Sequence, residues 1–247
     1  MTTQFDDLAA LYEEFSALAF RQHLEFPTVL GLVAEHESQR VLDLGCGSGI
    51  YSRLLRGQGI THVTGIDESP GMIEYARRRE QKERCGIDYI VGSLPDRLRG
   101  TFDLVLAVYV LPYATTYAEL VSLCQTASDA LRPNGRFLAL AIHPSFDPNP
   151  ECYARYGFRL HTKVGCEDAA PIGLELRFGG HHVNITARYW STATLLRALT
   201  ETGFAAPRWR KHRLSKEAAA GARDFWTAYL STPHAAIMDA DKEGGTS

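Results

Sequence analysis

An acidic residue followed by three alternating glycines could bind a small charged ligand. Asp43 closes a short apolar run, and Gly45, Gly47 and Gly49 follow it at every second position. Glycine lets the backbone turn sharply and lets a ligand lie against it, because there is no Cβ. A carboxylate beside such a loop suits a cationic ligand better than a phosphate. The spacing also differs from the G-x-G-x-x-G pattern that seats a pyrophosphate, and no G-K-[ST] phosphate loop follows.

A second carboxylate follows 24 residues later, at Asp67, where the predicted second strand ends. An acidic residue at the tip of the second strand of a nucleotide-binding α/β unit is placed to accept hydrogen bonds from both ribose hydroxyls. S-adenosylmethionine (SAM) carries a sulfonium, an ammonium and a ribose but no phosphate. The two carboxylates with the glycine loop therefore favour SAM as the ligand.

Strands, a tight turn and helices must position these residues. Residues 41–44 predict a strand and residues 50–56 a helix, with the glycines between them. Further strands are predicted at 62–66, 87–91, 102–108, 137–142, 208–214 and 235–239, and helices at 69–82, 117–131, 192–202 and 216–229. The alternation predicts an α/β fold, a Rossmann-like doubly wound sheet of seven mostly parallel strands with one antiparallel member.

Two segments lie outside this alternation, and we expect both to cover the cleft within a single domain of residues 1–247. Residues 1–36 predict a helical lid, in which Pro27 begins a second helix. Residues 145–190 predict an inserted substrate cap, a small antiparallel β insertion after strand five. Its alternating runs are 158–164, 172–178 and 183–190, with a hairpin turn at Gly179 and Gly180.

The chain resembles class I SAM-dependent methyltransferases over about its first 145 residues. The family's signatures stand here as VLDLGCGSGIYSRLL, GIDESPGMIEYARR, FDLVLAVYVLPYA and LRPNGRFLALAIHP. A narrower resemblance, to the toxoflavin-synthesis type of small-molecule methyltransferase, rests on residues 20–28, 154–158, 225–226 and 238–242. The resemblance implies methyl transfer to a nitrogen or oxygen of a small, plausibly heterocyclic, metabolite, with S-adenosylhomocysteine as product.

The resemblance also implies which residues bind the cofactor. Asp43 and the glycine loop would hold the methionine moiety, with Arg21 pairing its carboxylate, and residues 92–94 would flank the adenine. The predicted cofactor-binding residues are Tyr12, Arg21, Asp43, Gly45, Cys46, Gly47, Asp67, Glu68, Met72, Gly92, Ser93, Leu94, Ala107 and Tyr113. Packing is the competing interpretation for Tyr12 and Met72. Ser93 stands where many members of the family have an aspartate, so only a hydroxyl or backbone contact remains there.

Methyl transfer from a sulfonium is an in-line displacement on an already activated carbon, so alignment and exclusion of water matter most. A general base helps if the nucleophile carries a proton. His143 follows strand five and is the predicted base, with a packed histidine as the competing interpretation. Tyr109 is the second catalytic candidate. Three aromatic residues of the cap, Tyr153, Tyr156 and Tyr189, are predicted to bind the acceptor by stacking.

Composition excludes several other classes of protein. A net charge of −3 does not favour a nucleic-acid partner, and no apolar run or leader pattern predicts a membrane segment. Five cysteines without a C-x-x-C pair favour reduced thiols and a cytoplasmic protein. No metal site is expected, since His181 and His182 would point to opposite faces of a strand. A monomer and a homodimer are both compatible with the sequence.

Three alternatives stay open. On the same fold, the amino group of SAM can attack the side chain of the same molecule. This reaction closes an azetidine ring, forms azetidine-2-carboxylate and releases methylthioadenosine. The chain could also be a catalytically silent SAM-binding subunit. A nicotinamide oxidoreductase would use Asp67 on a ribose as well, but the pyrophosphate spacing is missing.

Overall fold

Ten strands build two sheets in the computed structural model, which describes residues 8–163, 166–178, 180–221 and 223–244. The central sheet contains β1 (Arg40–Leu44), β2 (His62–Asp67), β3 (Ile87–Val91), β4 (Phe102–Val108), β5 (Leu131–Ile142), β9 (Phe204–Arg210) and β10 (Ala235–Lys242). The small sheet contains β6 (Phe158–His161), β7 (Pro171–Phe178) and β8 (His181–Arg188). Parts of three predictions lie outside the described residues, namely the start of the lid at 1–7, Val164 and the turn residue Gly179.

The central sheet has the strand order β3-β2-β1-β4-β5-β10-β9. The pairings β1 with β2 and β4, β2 with β3, and β4 with β5 are parallel, whereas β10 is antiparallel to both β5 and β9. The predicted α/β Rossmann-like sheet, seven-stranded and mostly parallel with one antiparallel strand, is confirmed. All parallel strands therefore end at one edge, where ligands of such sheets bind.

Helices cover both faces of this sheet. They are α1 (Ala9–Phe15), α2 (Phe26–Val33), α3 (Ile50–Gly57), α4 (Pro70–Glu83), α5 (Tyr117–Ala130), α6 (Thr192–Glu201), α7 (Lys216–Gly221) and α8 (Arg223–Ser231). One hydrophobic cluster fills the face under α5 and α6, and a second fills the face under α2, α3 and α4. The Ser69 hydroxyl accepts from the Met72 amide at 3.2 Å, so it caps the N-terminus of α4.

The N-terminal segment departs from the predicted pair of helices. A π-helical turn, Arg21–Glu25, runs straight into α2, which begins at Phe26. Pro27 lies in the first turn of α2, as predicted, but α2 continues directly from the π-helical turn before it. The proline has no N–H, which removes one hydrogen bond of the α ladder, and the Phe26 amide bonds instead to the Arg21 carbonyl. The wider turn buries both Arg21 and Glu25.

Two strand boundaries predicted from the sequence are wrong. The strand expected at 208–214 is β9, which begins at Phe204 and ends at Arg210. Its register places Phe204 opposite Lys242 and packs the Phe204 ring in the core, a long-range pairing that local alternation does not reveal. β5 begins at Leu131 rather than 137, because Leu131 already pairs with Phe102. The register between β4 and β5 then shifts before Leu104 pairs with Arg136.

The small sheet has the antiparallel order β6-β7-β8 and lies in the predicted insertion after β5. Its inner side belongs to a third hydrophobic cluster, which also contains Phe20 of the N-terminal segment and Trp226 of α8. Packing therefore joins the insertion to both ends of the chain. No helix in the described part of the chain is both long and apolar enough to cross a bilayer.

Candidate functional site

The glycine loop links β1 to α3 at the edge of the sheet where the parallel strands end. Gly45 has φ +65°, and a Cβ there would lie 2.5 Å from Val110 Cγ2. Gly49 has φ +83°, and a Cβ there would lie 2.3 Å from Tyr89 Oη. Both positions need glycine for the backbone conformation and for space. A Cβ at Gly47 would meet only Met72 Sδ, at 3.9 Å, so the loop has open space at its middle glycine.

Asp67 is held against the middle of this loop. Its Oδ2 accepts from the Gly47 amide at 2.8 Å, and its Oδ1 accepts from the Ser69 amide at 2.8 Å. Each oxygen of a carboxylate can accept a further hydrogen bond. These two hydrogen bonds fix the carboxylate at the end of β2, beside the glycine loop.

Asp43 lies beneath the loop and is 2% exposed. Its Oδ2 accepts from the Ser52 hydroxyl of α3 at 2.6 Å. Burial raises the pKa of Asp43 to about 7; the Ser52 hydrogen bond opposes this, and the nearby Asp67 adds to it. A small change in local charge can therefore switch this carboxyl between its two forms near neutral pH.

Cys46 is inert in this loop. Its amide donates to the Ile66 carbonyl at 3.0 Å, and burial raises the pKa of its thiol well above the usual value. A thiol without a thiolate form is not a nucleophile at neutral pH. Only the backbone of Cys46 can serve a ligand.

Helix α1 lies across the glycine loop. Glu13 accepts from the Ser48 hydroxyl at 2.9 Å and forms an ion pair with Arg53 of α3. The hydroxyls of Tyr12 and Tyr113 are hydrogen-bonded, and burial raises the pKa of Tyr12 to about 12. The Glu13 contacts were not predictable, because they depend on where the helix docks.

Arg21 and Glu25 form a buried pair on the turn that precedes α2. Arg21 Nε lies 2.8 Å from Glu25 Oε1, and the two residues are 5% and 1% exposed. The guanidinium also packs over the rings of Phe15, Phe26 and Tyr51 at 5.0–5.7 Å. Glu25 was missed from the sequence. The only available signal was the i, i+4 spacing from Arg21, which is common on helix surfaces.

Glu25 also accepts from two phenols. Tyr51 Oη lies 2.7 Å from Glu25 Oε1, and Tyr109 Oη lies 2.8 Å from Glu25 Oε2. Tyr109 follows β4 and has φ +56°, which is uncommon for a residue other than glycine. Such backbone strain persists only where the surroundings fix the residue, and it is concentrated at functional sites.

Two histidines lie beyond Tyr109. His234 is 6% exposed; its Nε2 lies 3.3 Å from Tyr109 Oη and its Nδ1 2.7 Å from Tyr229 Oη. Burial lowers the pKa of His234 well below its usual value, so the ring is neutral. His143, the predicted base, uses its Nδ1 to accept from the Ser145 amide at 3.0 Å. Nε2 then carries the proton, and no lone pair is free to act as a base in this arrangement.

The predicted acceptor-binding tyrosines divide into two groups. Tyr153 and Tyr156 are buried, and their hydroxyls donate to the carbonyls of Thr232 and Phe225. Their rings and hydroxyls are thus used in core packing, so the geometry does not support them as acceptor ligands. Tyr189 is half-buried and donates to the Pro144 carbonyl at 3.1 Å, so it remains a candidate.

The remaining predicted cofactor residues are spread more widely. Gly92 donates its amide to the Asp67 carbonyl at 2.9 Å, which brings the end of β3 to Asp67. Ser93 and Leu94 border a groove of about 360 Å³ that continues along α5 and includes no residue of the glycine loop. The other three differ in exposure: Met72 is buried near Gly47, Glu68 is exposed and Ala107 is fully buried in the core. Among the described residues, no group of three or more His, Cys, Asp or Glu side chains is placed to hold a metal ion.

Comparison with known proteins gives the kind of domain. A family model described as a methyltransferase domain matches residues 41–135. A ubiquinone biosynthesis O-methyltransferase of Methylocella silvestris is 37% identical over 110 residues, 43% of this chain and 41% of that protein. One of the same name from Acinetobacter baylyi is 27% identical over 216 residues, 73% of this chain and 87% of that protein.

A solved structure extends the likeness of fold to the whole chain. SAM-bound CalS10, an amino pentose methyltransferase of Micromonospora echinaspora involved in calicheamicin biosynthesis, superposes with a TM-score of 0.62 at 18% identity. The superposition covers 98% of this chain and 99% of that one. This chain spans 41–57% of the length of the first three curated relatives that it matches. Residues 41–135 thus match a methyltransferase domain, and the fold of the chain is that of a SAM-bound methyltransferase.

Proposed function

We propose that this protein transfers the methyl group of SAM to a nitrogen or oxygen of a small molecule. One observation carries the proposal: the Gly47 amide and the Asp67 carboxylate are bonded at 2.8 Å, beside the open middle of the glycine loop. Asp67 would accept from the ribose hydroxyls, and the loop backbone would face the methionine moiety. The Arg21 guanidinium is bonded to Glu25 through Nε and is hydrogen-bonded to Tyr51. With five N–H donors, it could still donate to the methionine carboxylate.

The chain's own residues would contribute alignment and exclusion of water, which together can lower a barrier by about 7–11 kcal/mol. Helix α1 covers the loop through the contacts of Glu13 with Ser48 and Arg53. In this proposal, residues 1–36 are the lid and residues 145–190 the acceptor cap of one domain. Tyr12 and Tyr113 close the cleft beside Asp67.

The proposed acceptor is a flat heterocyclic metabolite. The heterocycle rests on the narrower resemblance to toxoflavin-synthesis methyltransferases. The names of the ubiquinone and amino pentose methyltransferases support only the coarser proposal of a small-molecule acceptor. We propose a cytoplasmic protein, monomer or homodimer, without a nucleic-acid partner, in line with its net charge of −3.

Calorimetry with SAM and S-adenosylhomocysteine, followed by product analysis, tests this function. We expect the purified protein to bind both compounds and to form S-adenosylhomocysteine only when heterocyclic N–H or aromatic O–H compounds are added. Methylthioadenosine formed from SAM alone would instead establish the SAM-cyclising alternative. Tight SAM binding without turnover over the whole panel would favour the silent subunit. Binding of NAD in place of SAM would contradict the proposal altogether.

The pH dependence of SAM binding follows from Asp43. With its pKa at about 7, this carboxyl is largely protonated at pH 6 and ionised at pH 8. A bound cation favours the ionised form, so SAM binding expels a proton from Asp43 and strengthens as the pH rises. Between pH 6 and pH 8 we expect the Kd of SAM to fall about tenfold, with little further change above pH 8. Calorimetry in two buffers of different ionisation enthalpy would measure both the Kd and the released proton.

Asp43→Asn is the matched control for this pH dependence. The amide keeps the size of the side chain and an oxygen that accepts from Ser52, but it does not titrate between pH 6 and pH 8. We expect weaker SAM binding with a flat pH profile. A tenfold slope that persists in Asp43→Asn would assign the titration to another group.

A further inference from the structure

Three buried groups and the half-buried Tyr109 form a series of hydrogen bonds beside the proposed SAM cleft. Tyr229 Oη lies 2.7 Å from His234 Nδ1, His234 Nε2 lies 3.3 Å from Tyr109 Oη, and Tyr109 Oη lies 2.8 Å from Glu25 Oε2. Tyr229 and Glu25 are each 1% exposed, and His234 is 6% exposed. The proposed function gives this series of hydrogen bonds no role in alignment or in covering the cleft.

The number of protons on each group decides which atom donates and which accepts in each of these hydrogen bonds. The Glu25 carboxylate, paired with Arg21, only accepts, so Tyr109 must donate to it. A phenol has a single proton, so Tyr109 Oη accepts from His234 Nε2–H. A neutral imidazole has a single N–H, so His234 Nδ1 accepts from the Tyr229 hydroxyl. Every proton therefore points toward Glu25.

We propose, on the premise of the proposed function, that Glu25 is a positioning residue for methyl transfer. It takes the proton of Tyr109 and thereby turns the Tyr109 oxygen into a hydrogen-bond acceptor for the nucleophile. Tyr109 stands at the ligand edge of the sheet, and its neighbour Val110 lies against Gly45 of the loop. The methyl acceptor is accordingly a compound whose nucleophilic atom carries a proton, an N–H or an O–H.

Charge and protons balance along this series of hydrogen bonds. The S–CH₃ bond breaks with its electron pair left on sulfur, and a C–N or C–O bond forms to the acceptor. The proton of the acceptor passes to Tyr109 Oη, while the original Tyr109 proton passes to Glu25, which becomes a carboxylic acid. The positive sulfonium and the negative carboxylate disappear together, and the methionine carboxylate, which the proposed function places on Arg21, remains as the counter-charge of that guanidinium. Glu25 then returns its proton to water when the lid opens.

The tautomer of His234 tests the direction without any methyl acceptor. Long-range ¹H–¹⁵N spectra of the full-length protein should show Nε2–H in the wild type, with His234→Phe to assign the signals. In Glu25→Gln, the amide oxygen should stay with Arg21 and Tyr51, and the NH₂ group should face Tyr109. Tyr109 would then donate to His234 Nε2, and the tautomer should change to Nδ1–H. A wild-type Nδ1–H tautomer, or an unchanged tautomer in Glu25→Gln, would overturn the proposal.

Tyr51→Phe is the matched control. It also removes a phenol that donates to Glu25, but this phenol donates to Oε1, whereas Tyr109 donates to Oε2. It should keep the Nε2–H tautomer. The wild-type spectrum decides the question even if Glu25→Gln does not fold.

Turnover provides a second readout. Glu25→Gln should lower methyl transfer to N–H or O–H acceptors by about 100-fold or more at saturating SAM. Tyr51→Phe keeps the contact of Tyr109 with Glu25 and should lower it much less. Efficient methylation of a tertiary amine or a thioether, which has no proton to lose, would overturn this proposal alone. Absence of SAM binding in the wild type would overturn the proposed function, and the tautomer experiment would still be decisive for the chain of hydrogen bonds.

Discussion

Gly49→Ala is expected to weaken SAM binding by about 30-fold or more while the protein still folds. At φ +83° an alanine costs about 1–2 kcal/mol. Its Cβ would also lie 2.3 Å from Tyr89 Oη, and overpacking of this kind costs about 1–3 kcal/mol. The free loop can relieve both penalties by moving away from Tyr89. SAM binding requires the original loop conformation, so both free-energy costs raise the Kd of SAM. Calorimetry measures this Kd.

Gly57→Ala is the matched control. Gly57 is the last residue of α3, the helix that Gly49 begins, and a Cβ there would meet nothing within 4 Å. Alanine is the better helix former, so SAM binding should stay unchanged and the melting temperature should not fall. If Gly49→Ala bound SAM within about threefold of wild type, the loop backbone would not be the part that holds the cofactor.

The central sheet was predictable because its signals are local. Short runs of apolar residues, bounded by glycine, proline or charged residues, form β2, β3 and β4. Ser69 marks the start of α4, because its hydroxyl accepts from the amide of Met72, three residues later. The glycine loop was predictable for the same reason, since its chemistry depends on consecutive residues. Errors occurred where the pairing partner was distant in sequence, as for β9 and for the first half of β5.

The site was only partly predictable, because burial and partners change what a residue can do. His143 has the right residue type and place for a base, yet its Nδ1 lone pair is used by the Ser145 amide. Tyr153 looks available for stacking in the sequence, but the fold of the chain buries it among other rings. Glu25 looks like one half of a surface ion pair and is instead almost fully buried between Arg21 and two tyrosines.

A second network of charges attaches the N-terminal segment to the far side of the sheet. Asp239 of β10 is fully buried and accepts from Arg136 of β5 at 2.7 and 2.6 Å. Arg136 also donates to the Leu32 carbonyl of α2 at 2.8 Å. Burial would raise the pKa of Asp239, but the hydrogen bonds and charge of Arg136, with help from Arg210, hold it at about 2. The pair therefore connects the sheet to the helix that follows Glu25.

Asp239→Asn is expected to lower the free energy of unfolding by about 3–5 kcal/mol at pH 7. It leaves the buried Arg136 with only the more distant Glu35, at 4.0 Å, as a counter-charge. The melting temperature should fall by about 6–20 °C, and urea denaturation should show the same loss. The lowered pKa means that the stabilisation is complete above about pH 4 and is lost as the pH falls toward 2, so the difference between the proteins should shrink in acid.

Asp241→Asn, on the same strand, is the control for this prediction. Asp241 pairs with Arg208 at 2.9 Å, but its side chain is 45% exposed, so water screens the pair and we expect a loss below about 1 kcal/mol. The double variant Arg136→Met with Asp239→Leu should be more stable than Asp239→Asn, since it removes both buried charges. Its recovery should be incomplete, because the Leu32 carbonyl loses its donor. Equal losses in Asp239→Asn and Asp241→Asn would show that burial does not set the strength of these pairs.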